Sequence, residues 1–438
     1  MRGSPASAEG IDHVCTACGL LCDDVRVRTR GSEVIAVEPP CPVAARVLCA
    51  SRPRPAAACL IDGQAADYDD ALAAAAKILS AARMPLITGL NRATVETVQA
   101  ACEMADRLRG TIAPLGPHEL GADFTAPQTV GAVTATLGEI SARADLIVSW
   151  FADPVATHPR LRERLGAERR IGSSAPGKSR AWLAVDSQTT ATTEAADAAW
   201  LVKADAACEA AAVLRGLLTG RRLDATRVEQ STGVTLAMWH ELADKLAAAD
   251  YAALLFDEAA LRRQLSNTPL AVATTALAEL IESLHMHTRG VSLPLTGAGN
   301  ATGAAQTLLW QTGYPAAVTF AGGSPEYRPH EANAETLLTR GEADALLVVG
   351  SDLLGEISGL AQEARAALRG LPVIALDDAA TATMGAARVA FATRRFETEE
   401  SGSVFRTDGV ALPLAAAVKS TARSAEQILR DLAKLLPA

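Results

Sequence analysis

The chain has 438 residues, of which 49% are hydrophobic and 21% charged, so it can bury a sizeable core and is not globally disordered. Its length predicts two or three domains at about 150 residues each. Its 41 basic and 50 acidic residues give a formal net charge of -9, whereas a chain that grips phosphate backbones would be basic. No apolar run approaches the roughly 20 residues of a membrane span, and residues 1–10 lack the features of a secretory signal. We therefore expect a cytoplasmic protein that binds neither nucleic acid nor membrane.

Most of the cysteines crowd the N-terminal end of the chain. Cys15, Cys18 and Cys22 share one loop, and Cys41 follows after eighteen further residues. Eight cysteines in 438 residues are too few for a secreted disulfide scaffold, and in a cytosolic chain such crowding favours a metal site. Three thiolates on a tight loop, with a fourth from a returning strand, suit a 4Fe–4S cluster or a zinc ion. Bare thiols in an Ala-rich chain are the remaining alternative.

Beyond the cysteine loop, residues 23–37 alternate in the manner of an antiparallel hairpin around a turn at residues 30–32. Residues 1–58 are therefore predicted to form a small antiparallel unit that bears the cysteines. After a Pro-rich connector at residues 51–55, helical patterns alternate with short buried runs. The runs predicted as strands are residues 85–89, 145–150, 181–185, 252–256, 344–350 and 372–376. This alternation is typical of parallel sheets in an α/β fold.

The cysteine loop also carries a resemblance to a known family. Residues 15–24, Cys-Thr-Ala-Cys-Gly-Leu-Leu-Cys-Asp-Asp, resemble the opening of the B subunit of formylmethanofuran dehydrogenase, which belongs to the molybdenum and tungsten bis-pterin oxidoreductases. Similar motifs follow in order at residues 136–139, 143–145, 153–154, 158–160, 300–303, 310–315, 341–344 and 405–409. The resemblance implies two Rossmann-like parallel-sheet domains of the bis-pterin type behind the cysteine unit. Residues 59–120 and 280–438 would form one domain, and residues 121–279 an inserted one.

The same resemblance implies where a pterin nucleotide would contact the chain. Asp186 and Thr190 follow a predicted strand at one such position, and Asn300 and Gly303 belong to a second, pterin-facing loop. Glycines at the spacing found in this loop let backbone amides approach an anionic ligand closely. A plain tight turn explains the same glycines at least as well.

The resemblance bears on the metal site as well. The spacing before Cys41 looks like that of the dehydrogenase's B subunit, which implies Cys15, Cys18, Cys22 and Cys41 as the ligand set. Cys49 is the alternative fourth ligand, because the wider group also uses its spacing from Cys22. Whether these cysteines hold a 4Fe–4S cluster, zinc or no metal stays open at the level of sequence.

One segment departs from the family's pattern. In the dehydrogenase, a Cys-His-Gly-Pro-like segment shortly before the motif at residues 136–139 holds the metal through a thiolate or selenolate. Here Glu119 and Leu120 stand near the Cys and His positions, and no cysteine lies between Cys102, predicted to pack on an apolar helix face, and Cys208. A carboxylate can ligate molybdenum or tungsten, but the loss of His leaves no obvious group to move the proton. The sequence therefore predicts no catalytic residue in this chain and no bound metallopterin.

A related assembly lacks that redox chemistry. Methylotrophic bacteria have a formyltransferase/hydrolase complex, built from homologues of the dehydrogenase subunits, that releases formate from formyl-tetrahydromethanopterin through a furan carrier. The resemblance therefore implies a non-redox structural subunit of such a complex, with A-, C- and D-type subunits as partners. The alternatives are an active tungsten or molybdenum dehydrogenase subunit with an altered ligand set, and a zinc-containing interaction protein.

Overall fold

The chain opens with a three-stranded antiparallel sheet in the computed structural model, which describes residues 10–114, 125–166, 180–266, 268–355 and 360–436. Its strands are β1 (Gly10–His13), β2 (Val25–Arg30) and β3 (Glu33–Glu38), in the order β1-β2-β3. The predicted hairpin is confirmed, because β2 and β3 pair antiparallel around a turn in which Gly31 has a φ of +61°. The cysteine loop joins β1 to β2, and helix α1 (Pro42–Leu48) follows β3.

The chain divides into two compact units. The first comprises Met1–Ala122, Gly297–Arg406 and Ala411–Ala438, and the second comprises Asp123–Thr296 and Thr407–Val410. The first unit holds a nine-stranded sheet and the second a five-stranded sheet, each with helices between its strands. The α/β fold class predicted from the sequence is therefore confirmed.

The first unit begins with residues that precede the second unit in the chain. After α1 its elements are β4 (Cys59–Ile61), β5 (Gln64–Ala65), α2 (Tyr68–Ala81), β6 (Pro85–Gly89), α3 (Val95–Arg107) and β7 (Thr111–Pro114). Helix α3 starts where the hydroxyl of Thr94 accepts a hydrogen bond from the Thr97 amide at 3.3 Å, which satisfies one of the free N–H groups of the first turn. Its apolar face, with Val98 and Cys102, is buried.

The second unit is a parallel sheet enclosed by helices. Its elements are α4 (Thr125–Thr129), α5 (Leu137–Arg143), β8 (Leu146–Trp150), α6 (Pro154–Thr157), α7 (Leu161–Leu165), β9 (Ala181–Asp186), α8 (Ala191–Ala195), β10 (Ala198–Leu201), α9 (Ala207–Leu218), α10 (Ala225–Thr232), α11 (Leu236–Ala248), β11 (Tyr251–Phe256), α12 (Glu258–Gln264), α13 (Leu270–Leu284) and β12 (Arg289–Pro294). The strands run parallel in the order β10-β9-β8-β11-β12. Counted along the chain this order is 3-2-1-4-5, which is that of dinucleotide-binding α/β sheets.

The chain then returns to the first unit. The remaining elements are α14 (Ala301–Thr312), β13 (Val318–Thr319), β14 (Glu326–Tyr327), α15 (Ala334–Thr339), β15 (Ala345–Val349), α16 (Gln362–Leu368), β16 (Val373–Asp377), α17 (Ala382–Ala386), β17 (Val389–Ala392), β18 (Gly402–Phe405), β19 (Ala411–Leu414) and α18 (Ala425–Lys434). Strands β18 and β19 form a separate antiparallel hairpin. Within the described ranges, no helix is long and apolar enough to span a membrane.

The nine-stranded sheet has a parallel centre and antiparallel edges. Its order is β14-β13-β7-β6-β15-β16-β17-β4-β5, and the five central strands are parallel. Helices α2, α3, α14 and α18 pack on one face, and α15, α16 and α17 pack on the other. The central order, 2-1-3-4-5 along the chain, reverses between β6 and β15. Ligands of such sheets bind outside the carboxyl ends of the strands at this reversal.

The domain boundaries predicted from the sequence differ from these units at three places. Residues 1–58 belong to the first unit rather than to a separate one, and residues 407–410 belong to the second unit. The boundary at residue 280 falls inside α13, and residues 280–296 lie in the second unit because β12 pairs with β11 there. All six predicted strands are present, as β6, β8, β9, β11, β15 and β16. The sequence does not predict strand β12, because Arg289 and Ser292 interrupt the apolar run of this segment. The strand lies at the end of the sheet, where Arg289 is exposed.

Candidate functional site

The cysteine loop is a tight turn that turns three thiols inward. The Cys15 amide donates to the Cys22 carbonyl at 2.9 Å, and the Leu21 amide donates to the Cys18 carbonyl at 3.2 Å. Leu21 has a φ of +38°, in the left-handed region that turns of this kind require. The three cysteines are buried, with no more than 8% of their surface exposed. The predicted loop of three neighbouring thiols is therefore present.

The fourth predicted ligand lies in the same neighbourhood. Burial raises the pKa of the Cys18 thiol, and the charges of Cys15, Cys22 and Cys41 raise it further. For Cys49 the pKa is raised by burial alone. Cys41 and Cys49 cap opposite ends of α1, about 12 Å apart at 1.5 Å per residue, so one site cannot easily take both. Cys41 therefore stays the predicted fourth ligand, with Cys49 as the alternative.

The donor set fits a thiolate-bound metal in chemical type, since all four side chains are soft sulfur donors without disulfide bonds. The side chains are not, however, drawn together into a coordination shell. Among the residues that the structure describes, no group of three or more His, Cys, Asp or Glu side chains is arranged to hold a metal ion. The metal assignment therefore stays a prediction.

The cysteine loop packs against the carboxyl edge of the nine-stranded sheet. The Gly299 amide donates to the carbonyl of Thr16 at 2.9 Å, which joins the cysteine loop to the predicted pterin-facing loop. The His13 ring lies with Nε2 2.9 Å from the Glu397 carbonyl. Val14 and Leu21 share a small apolar core with residues that include Phe396. The cysteines, the glycine loop and residues 393–400 thus form one packed region of the first unit.

The predicted pterin-facing loop makes close contacts with the protein itself. Asn300 is 1% exposed, and its side chain donates from Nδ2 to the Ala93 carbonyl while Oδ1 accepts from the Phe405 amide, both at 2.8 Å. A Cβ atom on Gly303 would lie 2.2 Å from Oδ1 of Asn300, and one on Gly299 would lie 2.2 Å from a carbonyl oxygen of the neighbouring β6–α3 loop. Gly299 and Gly303, the second of which lies in the first turn of α14, are therefore close to this chain's own atoms, and the assignment of the loop as a pterin contact stays a prediction.

The other two predicted pterin contacts lie in the second unit and are also engaged locally. Asp186 ends β9, and its Oδ1 accepts from the Ser187 amide at 2.7 Å. Burial raises its pKa, although hydrogen bonds from neighbouring residues, including the Gln264 side chain, act against that shift. Thr190 caps α8, where its hydroxyl and that of Thr193 each bond the other's backbone amide. Both residues stabilise the turn after β9, and their assignment as cofactor contacts stays a prediction.

A cluster of buried charged residues in the first unit was not among the predictions. We call Arg52, Arg92, Asp377, Asp378, Arg395 and Glu397 the crevice cluster. Arg92 follows β6, and Asp377 and Asp378 follow the buried run of β16, so all three lie at the carboxyl edge of the sheet. Arg92 donates from Nε and Nη2 to the two oxygens of Glu397 at 2.7 and 3.0 Å, and from Nη2 to Asp378 Oδ1 at 2.8 Å. A contact to Asp377 Oδ1 at 3.3 Å completes the shell around Arg92.

The two aspartates of the crevice cluster have divergent pKa values. Burial, and then the charge of Asp378, raise the pKa of Asp377 to about 7 against the pull of Arg92. Burial acts in the same direction on Asp378, but Arg92 and Arg52 outweigh it and lower the pKa to about 2. Glu397 is held ionised in the same way by Arg92 and Arg52, which overcome its burial. The cluster thus holds at least two carboxylates charged at neutral pH.

A simple signal could have identified these residues. Polar side chains that directly follow the buried strands of a parallel sheet meet at its carboxyl edge. Arg92 follows the predicted strand at residues 85–89, and Asp377 and Asp378 follow the one at residues 372–376. Their partner Glu397 lies in a charged stretch, Arg-Arg-Phe-Glu-Thr-Glu-Glu, that is conspicuous in an Ala-rich chain.

The predicted lost metal position lies outside the described residues. Glu119 and Leu120 both fall between residues 114 and 125, so only the sequence bears on them. Cys102, by contrast, is described: it is 4% exposed in the apolar core between α3 and the sheet, and burial raises its pKa to about 12. A buried thiol of this kind is a packing residue, as predicted.

Known proteins resemble this chain over most of its length. The B subunit of tungsten-containing formylmethanofuran dehydrogenase 2 from Methanocaldococcus jannaschii is 27% identical over 409 residues, which are 92% of each chain. The protein of the same name from Methanococcus maripaludis is 27% identical over 415 residues, 93% of each chain. The B subunit of the formyltransferase/hydrolase complex Fhc of Methylorubrum extorquens is 28% identical over 300 residues, 66% of this chain and 74% of that protein. No model of a known protein family matches the chain.

Solved structures agree on the fold. The crystal structure of the formyltransferase/hydrolase complex (FhcABCD) from Methylorubrum extorquens with methylofuran contains a chain that matches 86% of this one, with a TM-score of 0.71 and 24% identity, over 98% of its own length. Acetylene hydratase from Pelobacter acetylenicus matches 97% of this chain over 68% of its own, with a TM-score of 0.66 and 13% identity. The chain therefore has the α/β fold of these proteins. It is a homologue of the B subunits of formylmethanofuran dehydrogenase and of the Fhc complex, and the predicted resemblance is confirmed.

Proposed function

We propose that this chain is a non-redox structural subunit of a formyltransferase/hydrolase complex, which converts formyl-tetrahydromethanopterin to formate through a formyl-methanofuran-like carrier. The observation that carries the proposal is the loss of the metal-binding segment within an otherwise matching chain. The two dehydrogenase subunits match more than nine-tenths of the sequence. In this chain, however, no cysteine lies between Cys102 and Cys208. Glu119 and Leu120 stand near the positions that the Cys and His of the family's metal-binding segment would take. Without a cysteine, the segment lacks the soft donor of the redox site.

The geometry of the described residues supports the same proposal. All four positions that the resemblance implies for pterin contacts, Asp186, Thr190, Asn300 and Gly303, are engaged by the protein's own atoms. A bis-pterin fold that retains its strands without a pterin still offers a rigid body on which other subunits assemble. The A-, C- and D-type subunits are the partners that we propose, and they would carry the transferase and hydrolase sites.

A second candidate function has its own support. The two relatives that match more than nine-tenths of the chain are subunits of enzymes named as tungsten-containing, whereas the match to the Fhc protein covers 66% of the chain. An active dehydrogenase subunit would need an altered ligand set, with the Glu119 carboxylate in place of the thiolate. Tungsten and molybdenum analysis of the purified complex separates the two candidates. Stoichiometric metal would refute the structural role, and a complex with neither metal would refute the dehydrogenase.

Cys15, Cys18, Cys22 and Cys41 are the residues that would hold a 4Fe–4S cluster or zinc. When bound, such a group supplies a covalent staple, since coordination energy is folding energy in a small unit. The chain's own contribution is the turn from Cys15 to Cys22, which keeps three thiols buried on one side. This staple role does not depend on whether a pterin is bound.

A direct test uses formate release by the assembled complex. We expect Glu119→Ala to leave turnover within twofold of the unaltered complex, because hydrolysis does not need the former redox position. Glu331→Ala, at an exposed side chain of the first unit, is the matched control. A hundredfold loss of turnover in a fully assembled Glu119→Ala complex would correspond to about 2.7 kcal/mol of transition-state stabilisation. That result would make Glu119 a catalytic group and end the structural proposal.

A further inference from the structure

The crevice cluster occupies the place where sheets of this order bind ligands. The order of the parallel strands reverses between β6 and β15, and a small cavity lies at their carboxyl ends. Its lining includes Arg92, Gly350, Asp377, Asp378 and Glu400, all of the first unit. Open α/β sheets bind nucleotides in this crevice, with the diphosphate held by backbone amides and by a cation. Here, however, the amides and the cation nearest the cavity already have partners within the protein.

The cationic side chain at this position, Arg92, is already paired with a carboxylate of the protein. Arg92 presents Nε and Nη2 to the two oxygens of Glu397 in a bidentate pair, the same geometry in which Arg binds a phosphate. Its remaining contacts go to Asp378 and Asp377. Arg52 approaches Glu397 Oε2 at 2.5 Å, and only 5% of the Glu397 side chain is exposed. In these contacts the Glu397 carboxylate stands where an anionic ligand would be expected.

The arginines of the crevice cluster also face carboxylates of the protein itself. Arg52, Arg92 and Arg395 face the three carboxylates, with Arg395 Nε 3.4 Å and Arg52 Nη2 3.6 Å from Asp378 Oδ2. An entering diphosphate would have to displace Glu397 and leave its carboxylate buried without a partner, which is strongly unfavourable.

Two backbone amides of the crevice are engaged as well. The amide of Leu90, just after β6, donates to the Val349 carbonyl, and the amide of Gly350, just after β15, donates to the Leu376 carbonyl, both at 2.8 Å. A Cβ atom on Gly350 would lie 2.8 Å from the carbonyl oxygen of Arg92. The glycine therefore admits a neighbouring loop rather than a phosphate.

The segment that supplies Glu397 is anchored along its length. The Thr393 amide donates to the Asp377 carbonyl at 3.0 Å, and the Arg395 carbonyl accepts from three amides of residues 398–400. Phe396 packs into the apolar core beneath the cysteine loop, and Arg54 pairs with Glu399. Residues 393–400 are thus a fixed part of the unit, with contacts on both sides.

We propose that residues 393–400 act as a built-in ligand of the first unit, in which the Glu397 carboxylate takes the diphosphate position and excludes nucleotides from the crevice. The disagreement between the fold, which implies a pterin dinucleotide, and the residues present is thereby explained. The inference deepens the proposed non-redox role, but it stands on the contacts of Arg92 and Glu397 and can fail on its own.

The experiment measures binding of guanosine diphosphate and inorganic pyrophosphate to the full-length chain by calorimetry and by thermal shift. We expect no binding of either probe at 1 mM to the unaltered chain. Glu397→Ala removes the internal carboxylate from Arg92, and we expect it to bind both probes at least tenfold more tightly, equivalent to about 1.4 kcal/mol. Glu399→Ala is the matched control, because Glu399 lies in the same segment but pairs with Arg54 rather than with Arg92. This variant should bind the two probes no more tightly than the unaltered chain does.

Further variants keep the result interpretable. Glu397→Gln, which retains the shape of the side chain, serves if Glu397→Ala does not fold, and circular dichroism establishes folding for each protein. Arg92→Gln combined with Glu397→Ala should abolish the gain. Tight binding of guanosine diphosphate to the unaltered chain, or no gain in a folded Glu397→Ala chain, would overturn the proposal. Formate release by the complex, measured in parallel, reports on the proposed function separately, since nucleotide binding alone would leave that activity unaffected.

Discussion

Removing one negative charge from the crevice cluster should destabilise the first unit by several kcal/mol. In Glu397→Gln the side chain keeps its volume but can no longer neutralise Arg92 and Arg52, which lie 2.7 and 2.5 Å from its oxygens. An opposite charge about 4 Å away contributes about 4 kcal/mol at an effective dielectric constant of 20. The charge that remains on Arg92 is still shared with Asp377 and Asp378, which reduces the loss. We therefore expect about 3 kcal/mol, at the lower end for a broken buried pair.

The assay is thermal unfolding of the isolated chain followed by circular dichroism. For a unit of 150–250 residues, 1 kcal/mol shifts Tm by about 2–4 °C, so Glu397→Gln should lower the Tm by about 6–12 °C. Glu331→Gln is the control, because its carboxylate is exposed and pairs with the exposed Arg328. Surface pairs of this kind contribute little, so the control should unfold with the unaltered chain. If both variants unfold with the unaltered chain, Glu397 contributes no more than a surface pair and the reasoning from burial is refuted.

Three further predictions concern single side chains. In the folded chain Asp377, with its pKa of about 7, keeps a proton that the unfolded chain releases at lower pH, so the unaltered chain loses stability as the pH rises from about 4 to about 7. Asp377→Asn removes this titration and should gain stability relative to the unaltered chain over that range, by at most about 1.4 kcal/mol per pH unit. Equal Tm differences at pH 5 and pH 8 would contradict this. Asn300→Ala leaves the Phe405 amide and the Ala93 carbonyl unpaired, and it should lower the free energy of unfolding in urea by about 3 kcal/mol. Asn333→Ala, at the N-cap of α15, should lower it by about 1 kcal/mol. Equal losses would contradict the role of Asn300 as a buried link between two loops. Cys18→Ser should release any bound iron or zinc and lower the Tm, while Cys49→Ser should do neither; unchanged metal content and Tm in Cys18→Ser would show that the cysteines are remnants.

The elements of the fold that the sequence predicts are those buried on both faces. Strands β6, β15 and β16 are central and all their side chains are buried, so each appears in the sequence as a mostly apolar run. Strand β12 ends the sheet of the second unit, where half-exposed Ser292 is tolerated and the run is broken. An edge strand is defined more by its hydrogen bonds to the neighbouring strand than by burial of its side chains. The apolar pattern of a short segment does not show which strand it pairs with.

The candidate site divides in the same way. Three cysteines within eight residues fold into one loop whatever the rest of the chain does, so their proximity was predictable. Arg92 and Glu397 are 305 positions apart, and their bidentate pair exists only because β6 and residues 393–400 meet at one edge of the sheet. Asn300 was singled out for a ligand, yet its amide bonds two loops of the chain. Side-chain chemistry allows both roles, and only the packed neighbours decide between them.

Under the proposed non-redox role the crevice of the first unit has lost its ligand, and a fold can lose a ligand in two ways. Deleting the ligating residues alone would leave an open, polar crevice, whose buried charges and amides would remain costly without a partner. Here Glu397 satisfies Arg92, the amides after β6 and β15 bond carbonyls, and the cysteine loop packs on the same segment through Phe396. Each of these groups has an internal partner in place of a ligand. A crevice in which Arg92 and Glu397 pair with each other contributes to the stability of the first unit, as the proposed structural role requires.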